Sequence, residues 1–131
     1  PTFLAVHLTI IALSGPLGVW LFYVQHQFED TYWEHADAWD FYRAGAHGSS
    51  FYDLPRALHW LTGNIGYHHI HHLNVRIPFY RLPEAMAAIV ELQQPVVTTL
   101  HPADVIGALR LALWDGKRGR MISYGELPDP P

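Results

Sequence analysis

Four histidines lie within five consecutive residues of this sequence, in the stretch GYHHIHHL at residues 66–73. If this stretch is helical, His68, His71 and His72 stand at positions i, i+3 and i+4 and project from one face. His69 lies about 100° round the helix from His68, so it lies at the edge of that face or contacts the ligands without binding the metal itself. Clustered neutral imidazoles suit iron, copper, zinc or nickel, and the sequence does not choose among them. The spacing predicts a metal-binding face.

A second candidate ligand is His26, in FYVQHQFED, where an apolar stretch gives way to charged residues. A histidine at the end of a membrane helix is costly to bury and is often functional. His7, inside the apolar stretch, is predicted to pack between helices or to form a hydrogen bond between helices rather than to bind a metal. The other histidines lie mostly beside polar sequence and are predicted to be solvated or locally hydrogen-bonded: His35, His47, His59 and His101.

The composition removes several classes of protein. The chain has no cysteine, which excludes disulfides, thiolate zinc sites and iron–sulfur clusters. Its formal charge of −4 and the lack of a basic stripe among the aromatics argue against a nucleic-acid partner. No Asp or Glu precedes a histidine by three residues, so the Glu-x-x-His pairs of ferritin-like di-iron bundles are absent. The His-Glu-x-x-His motif of zinc proteases is absent too.

The elements that must position these histidines begin with an apolar segment. Residues 2–25 contain no Asp, Glu, Lys or Arg, and about 20 apolar residues suffice to cross a bilayer as a helix. We therefore predict a transmembrane helix over residues 1–26, with the buried helix of a soluble core as the alternative. Every Lys and Arg follows this segment, so residues 27–131 are predicted to be cytosolic or interfacial, with the metal site and C-terminus on the cytoplasmic side.

The rest of the chain is predicted to be helical, giving an all-α membrane bundle with one span and further cytosolic or interfacial helices. We expect a helix within residues 29–50, one before and one through the histidine cluster with a break near Gly63 and Gly66, and two more opened by Pro83 and Pro102. No strand pattern competes with this assignment. Because the chain starts at Pro1, we also expect it to be the C-terminal part of a longer protein, in a single domain.

HHIHHL, written His68-x-x-His71-His72, resembles the third histidine box, H-x-x-H-H, of the membrane fatty acid desaturases. GVWLFYVQHQFEDTYW is similar to the family's fourth transmembrane segment and its exit, where an isolated histidine joins the metal site; this histidine corresponds to His26. GSSFYDLP and GNIGYHHIHHLNVRIPFYRLPEA are similar to the lead-in to the third box and the proline-broken segment after it. The resemblance covers roughly residues 15 to 118.

The resemblance implies a di-iron centre on the cytosolic side of a helical membrane bundle. It implies an oxidoreductase that inserts a cis double bond into an acyl chain with dioxygen and two electrons. The metal ligands on this chain would be His26, His68, His71 and His72, with His69 as a possible supporting residue. The substrate would be an acyl chain on a lipid or on an acyl carrier, membrane lipid would surround the protein, and the electrons would come from a ferredoxin or a cytochrome b-type donor.

The first two histidine boxes of that family are missing from this chain, so we expect it to be inactive alone. Two alternatives remain. A membrane hydroxylase or ketolase of alkanes or carotenoids would share the histidine-box di-iron chemistry. A non-catalytic membrane protein binding haem or another metal through its histidines belongs to a different class.

Overall fold

In the computed structural model, which describes residues 1–127, the chain begins with α1, Thr2–Val24. Residues 128–131, the end of the predicted cytosolic region, lie outside the described residues. Helix α1 continues through Pro16, and the most apolar part of it has a mean hydropathy of 1.8 with none of its residues buried. The long apolar helix is therefore confirmed, and its length, composition and exposure are consistent with a membrane span.

Five short helices follow in the described residues: α2 at Phe41–His47, α3 at Arg56–Leu61, α4 at His68–Leu73, α5 at Leu82–Ala88 and α6 at Pro102–Arg110. Single 3₁₀ turns lie at Phe79–Arg81, Val90–Leu92 and Tyr124–Glu126. The predicted break before the histidine cluster is confirmed. It arises because Gly63 and Asn64 have φ values of 62° and 55°, which a right-handed helix does not accommodate.

The all-α prediction is wrong in one respect, because residues 1–127 contain four short strands that form two small sheets. β1, Phe51–Asp53, pairs in parallel with β2, Val97–Thr99. β3, Leu113–Asp115, pairs antiparallel with β4, Arg120–Ile122. The predicted helix opened by Pro102 therefore ends at Arg110, and the chain turns back through a hairpin in which the Asp115 carboxylate accepts the Lys117 and Arg118 N–H groups.

Two apolar clusters fix these elements to one another. At the end of α1, Val24 packs with Tyr52, Leu54 and Ala108, so the apolar helix is held against β1 and α6. On the other side, Ile70 of α4 packs with Leu82 and Leu92. Helix α2 packs along α4 as well. Because α4 is enclosed by α2, β1 and α5, its histidines have a fixed direction relative to the end of α1.

Candidate metal centre

Helix α4 consists almost entirely of the histidine cluster, and its two sides face different surroundings. Ile70 and His69 are each 1% exposed and point into the protein. His69 Nε2 donates a hydrogen bond to the Leu92 carbonyl at 3.3 Å, which ties α4 to the 3₁₀ turn after α5. His68 and His72, one turn apart, face the end of α1. The inner side of α4 is thus anchored, and the outer side presents nitrogen atoms.

Three imidazoles converge where α1 ends. His72 Nε2 lies 3.1 Å from His26 Nε2 and 3.1 Å from His68 Nε2. The ligand atoms of all three residues lie within 4.8 Å of one another. Residues 46 positions apart in sequence are therefore brought into one site. Among the described residues this is the group of histidine and acidic side chains with metal-binding geometry.

A hydrogen bond to the backbone fixes which nitrogen of His26 is free. His26 Nδ1 lies 2.7 Å from the Phe22 carbonyl oxygen, which accepts only, so Nδ1 carries the proton. The lone pair of a neutral His26 is then on Nε2, the atom that faces His72. Ligating histidines in metal sites usually hold their second ring N–H on a carbonyl or carboxylate in this way. His26 is therefore oriented as a ligand.

Two of the three distances between these nitrogens suit ligands of a single transition-metal ion. Metal–nitrogen bonds of about 2.0–2.1 Å at roughly right angles place neighbouring ligand nitrogens about 3 Å apart. The two Nε2···Nε2 distances of 3.1 Å match this separation. One neutral Nε2 cannot donate to two others at once, so a shared cation satisfies all three lone pairs better than hydrogen bonds do. The third pair of ligand atoms, from His26 and His68, lies within 4.8 Å, so what fits a metal ion is the set of three neutral nitrogen donors together with the two shorter distances.

The surroundings of His68 and His72 keep these two imidazoles neutral. The pKa of His68 is lowered to about 3, chiefly by burial and then by the neighbouring His72, His26, His71 and His69 in that order of effect. The pKa of His72 is lowered too, by desolvation and then by His26 and His71. Imidazoles must be deprotonated to bind a metal, so this environment favours the ligating form at neutral pH.

Two of the predicted site residues lie outside the convergent group. His71 is half-buried, and its ring stacks on His68 with centroids 5.7 Å apart, but its nitrogens do not join the other three. His69 points away, towards Leu92. Thus, of the predicted ligands His26, His68, His71 and His72, the structure brings together the first, second and fourth.

Sequence reasoning missed the environment of His59, which was predicted to be solvated or locally bonded. It is 8% exposed, and its Nε2 accepts a hydrogen bond from the Leu54 backbone N–H at 3.3 Å. The local bond is as expected, but the burial is not. The burial of His59 could have been suspected from Gly66, which lies against it, because a glycine directly before a functional cluster often marks a place where two parts of the chain approach closely. The Phe22 carbonyl that orients His26 carries no such signal, since any residue supplies one.

The fold and site define a mostly helical protein with one helix suited to a membrane and a cluster of imidazoles suited to a metal. The family model described as Fatty acid desaturase matches residues 1–102. A protein of Bacillus subtilis (strain 168) named Fatty acid desaturase is 43% identical over 130 residues, covering 99% of this chain and 36% of its own length. The chain belongs to the fatty acid desaturase family. It spans only about a third of that relative, and no solved structure matches it.

Proposed function

We propose that this chain contributes part of a di-iron site to a membrane enzyme that introduces a cis double bond into an acyl chain. The observation that carries the proposal is the convergence of the His26, His68 and His72 Nε2 atoms at the end of an apolar helix, in a chain of this family. Bound iron would supply the dioxygen-derived oxidising power that removal of hydrogen from an unactivated methylene requires.

The residues of this chain have two tasks in that proposal. His26, His68 and His72 hold the metal with neutral nitrogens, and the Phe22 and Leu92 carbonyls keep His26 and His69 from turning. His71, stacked beside His68, is the fourth proposed ligand. Four imidazoles are too few for two irons, so further ligands would come from sequence outside these 131 residues.

The overall reaction would take one dioxygen, two electrons and two protons, and would yield a double bond and two waters. The proposed substrate is an acyl chain carried by a lipid or by an acyl carrier. The proposed electron donor is a ferredoxin or a cytochrome b-type protein. We also propose that the metal site faces the cytoplasm, since all eight Lys and Arg residues follow α1. The hydroxylase, ketolase and haem-binding alternatives gain no support from the site or the comparisons.

The test uses the complete natural polypeptide that contains this chain, expressed in cells whose lipids lack the product. We expect His26→Ala, His68→Ala and His72→Ala each to abolish unsaturated product in the lipid profile and to lower bound iron, because no nearby side chain replaces the lost nitrogen. His35→Ala is the matched control, since His35 is exposed and lies outside the cluster. Product formation and iron content that survive in all three cluster variants would contradict the proposal.

A further inference from the structure

His59 is buried next to the residues that lead into α4, but it is not one of the three histidines that converge at the end of α1. Its ring is stacked on that of Phe51, with centroids 5.8 Å apart and planes 17° from parallel. The centroid of the Tyr67 ring lies 5.0 Å from that of His59. Its Nε2 accepts the Leu54 backbone N–H at 3.3 Å. The ring therefore connects the end of β1 to the residues that immediately precede α4.

The tautomer of His59 follows from that bond. Because Leu54 donates to Nε2, the ring proton is on Nδ1, and the ring acts as an acceptor at the end of the strand. Burial lowers the pKa of His59, with Asp53 opposing the shift, so the neutral acceptor form is the stable one. If the acceptor were removed, the Leu54 N–H, which belongs to a residue 6% exposed, would lose its partner.

Gly66 is the point at which His59 meets the chain that leads into α4. A Cβ placed on Gly66 would lie 2.5 Å from His59 Cε1 and 2.5 Å from the Tyr52 carbonyl oxygen. The Tyr52 N–H donates to the Gly66 carbonyl at 2.8 Å, and Phe51 forms a bridge with Tyr67. The imidazole, β1 and residues 66–67 thus form one close contact, and the next residue is His68.

We propose that His59 is a positioning residue for the metal centre. By accepting the Leu54 N–H and filling the space against Gly66, it sets where α4 begins and hence the direction of the His68 and His72 nitrogens. This inference rests on the metal-binding role proposed above. A residue that merely filled the core would be replaceable by any ring of similar size, whereas a positioning residue needs its acceptor atom.

Two substitutions of His59 distinguish the effect of its ring volume from the effect of its hydrogen-bond acceptor. His59→Phe keeps a ring against Phe51 and Tyr67 but has no acceptor, and His59→Gln lacks the ring but offers an amide oxygen to the Leu54 N–H. Ile122→Val, in β4, is the control for general loss of stability, since Ile122 is 3% exposed and lies in the C-terminal hairpin.

The complete natural polypeptide, purified in detergent and stripped of metal, is titrated with Co²⁺, and visible absorption per bound ion is recorded. We expect His59→Phe to weaken Co²⁺ binding roughly 10- to 100-fold, the usual effect of losing a group that orients ligands, and to change the band positions. His59→Gln should recover most of the affinity and the wild-type spectrum. Ile122→Val should lower thermal stability without changing the spectrum.

Two results would overturn the inference alone: wild-type affinity and spectrum in His59→Phe, or a His59→Gln variant as impaired as His59→Phe. If His59→Phe gives no folded protein, the Gln variant decides, a wild-type spectrum supporting the inference and an altered one overturning it. Two other results would contradict the proposed metal centre and the inference with it. One is a wild-type protein that does not bind Co²⁺, and the other is a His72→Ala variant whose Co²⁺ affinity equals that of the wild type.

Discussion

Replacing Gly66 by alanine tests the contact on which the direction of α4 depends. The φ angle of Gly66 is not in the left-handed region, which among the described glycines holds only Gly63 and Gly119, so alanine is acceptable to the backbone there. Any cost is therefore steric. The new methyl group would lie 2.5 Å from the Tyr52 carbonyl oxygen and from His59 Cε1, well inside van der Waals contact.

The loss of stability expected for Gly66→Ala depends on how far Tyr52 and His59 can move, and both are held in place. Tyr52 is fully buried, its backbone is paired with both Val97–Thr99 and Gly66, and His59 is enclosed by aromatic rings. Overpacking of this kind costs about 1–3 kcal/mol, and the rigid surroundings favour the upper half of that range. For a chain of this size, we expect the melting temperature to fall by roughly 5–15 °C.

Circular dichroism of the detergent-solubilised protein during heating measures this shift. The matched control is Gly107→Ala, because a Cβ on Gly107 has no heavy atom within 4 Å and Gly107 lies inside α6. There alanine should be neutral or stabilise the protein by up to about 1 kcal/mol. A Gly66→Ala variant that melts at or above the wild-type temperature would refute the close contact between β1 and the start of α4.

Two further predictions concern charge and capping. The pKa of His68 is about 3 in the folded protein and 6.5 in the unfolded chain, so the unfolded chain alone takes up a proton as the pH falls below 6.5. His68 alone should therefore account for a loss of about 2 kcal/mol of stability between pH 7 and pH 5 in metal-free protein, measured by denaturant unfolding. His68→Gln should make the dependence shallower by about that amount, and the losses from His59 and His72, whose pKa values are also lowered, should remain. Asp40 caps α2 by accepting the Arg43 N–H at 2.7 Å. Asp40→Ala should cost about 1 kcal/mol in the same assay and Asp40→Asn much less, and equal losses in both would contradict the cap.

The parts of the fold that the sequence predicts are those with strong local signals. Helix α1 is uninterrupted in apolar character, and the break before α4 follows from Gly63 and its neighbours. The shared face of His68 and His72 follows from helical spacing, since the two side chains are one turn apart. In each case, the information lies within a few residues.

The parts that the sequence does not predict depend on distant residues. β1 pairs with a strand 46 residues further along, and each strand has three residues, too few to show an alternating pattern. The position of His71 outside the group is equally hard to foresee, because helical spacing places it on the same face as His68, whereas the group is completed by His26 from a distant part of the chain. Long-range packing decides both.

At the end of α1, the same residues that close the apolar helix also orient the proposed metal ligand His26. The last carbonyls of any helix lack backbone partners. Here the His26 backbone N–H bonds to the Tyr23 carbonyl, and the Phe22 carbonyl is taken by the His26 side chain through Nδ1. The Gln25 side chain bonds to the Leu21 carbonyl in the same way, at 2.6 Å. The Gln-His pair that closes the helix thus satisfies two terminal carbonyls, and the second of those bonds leaves His26 Nε2 free and directed at His72.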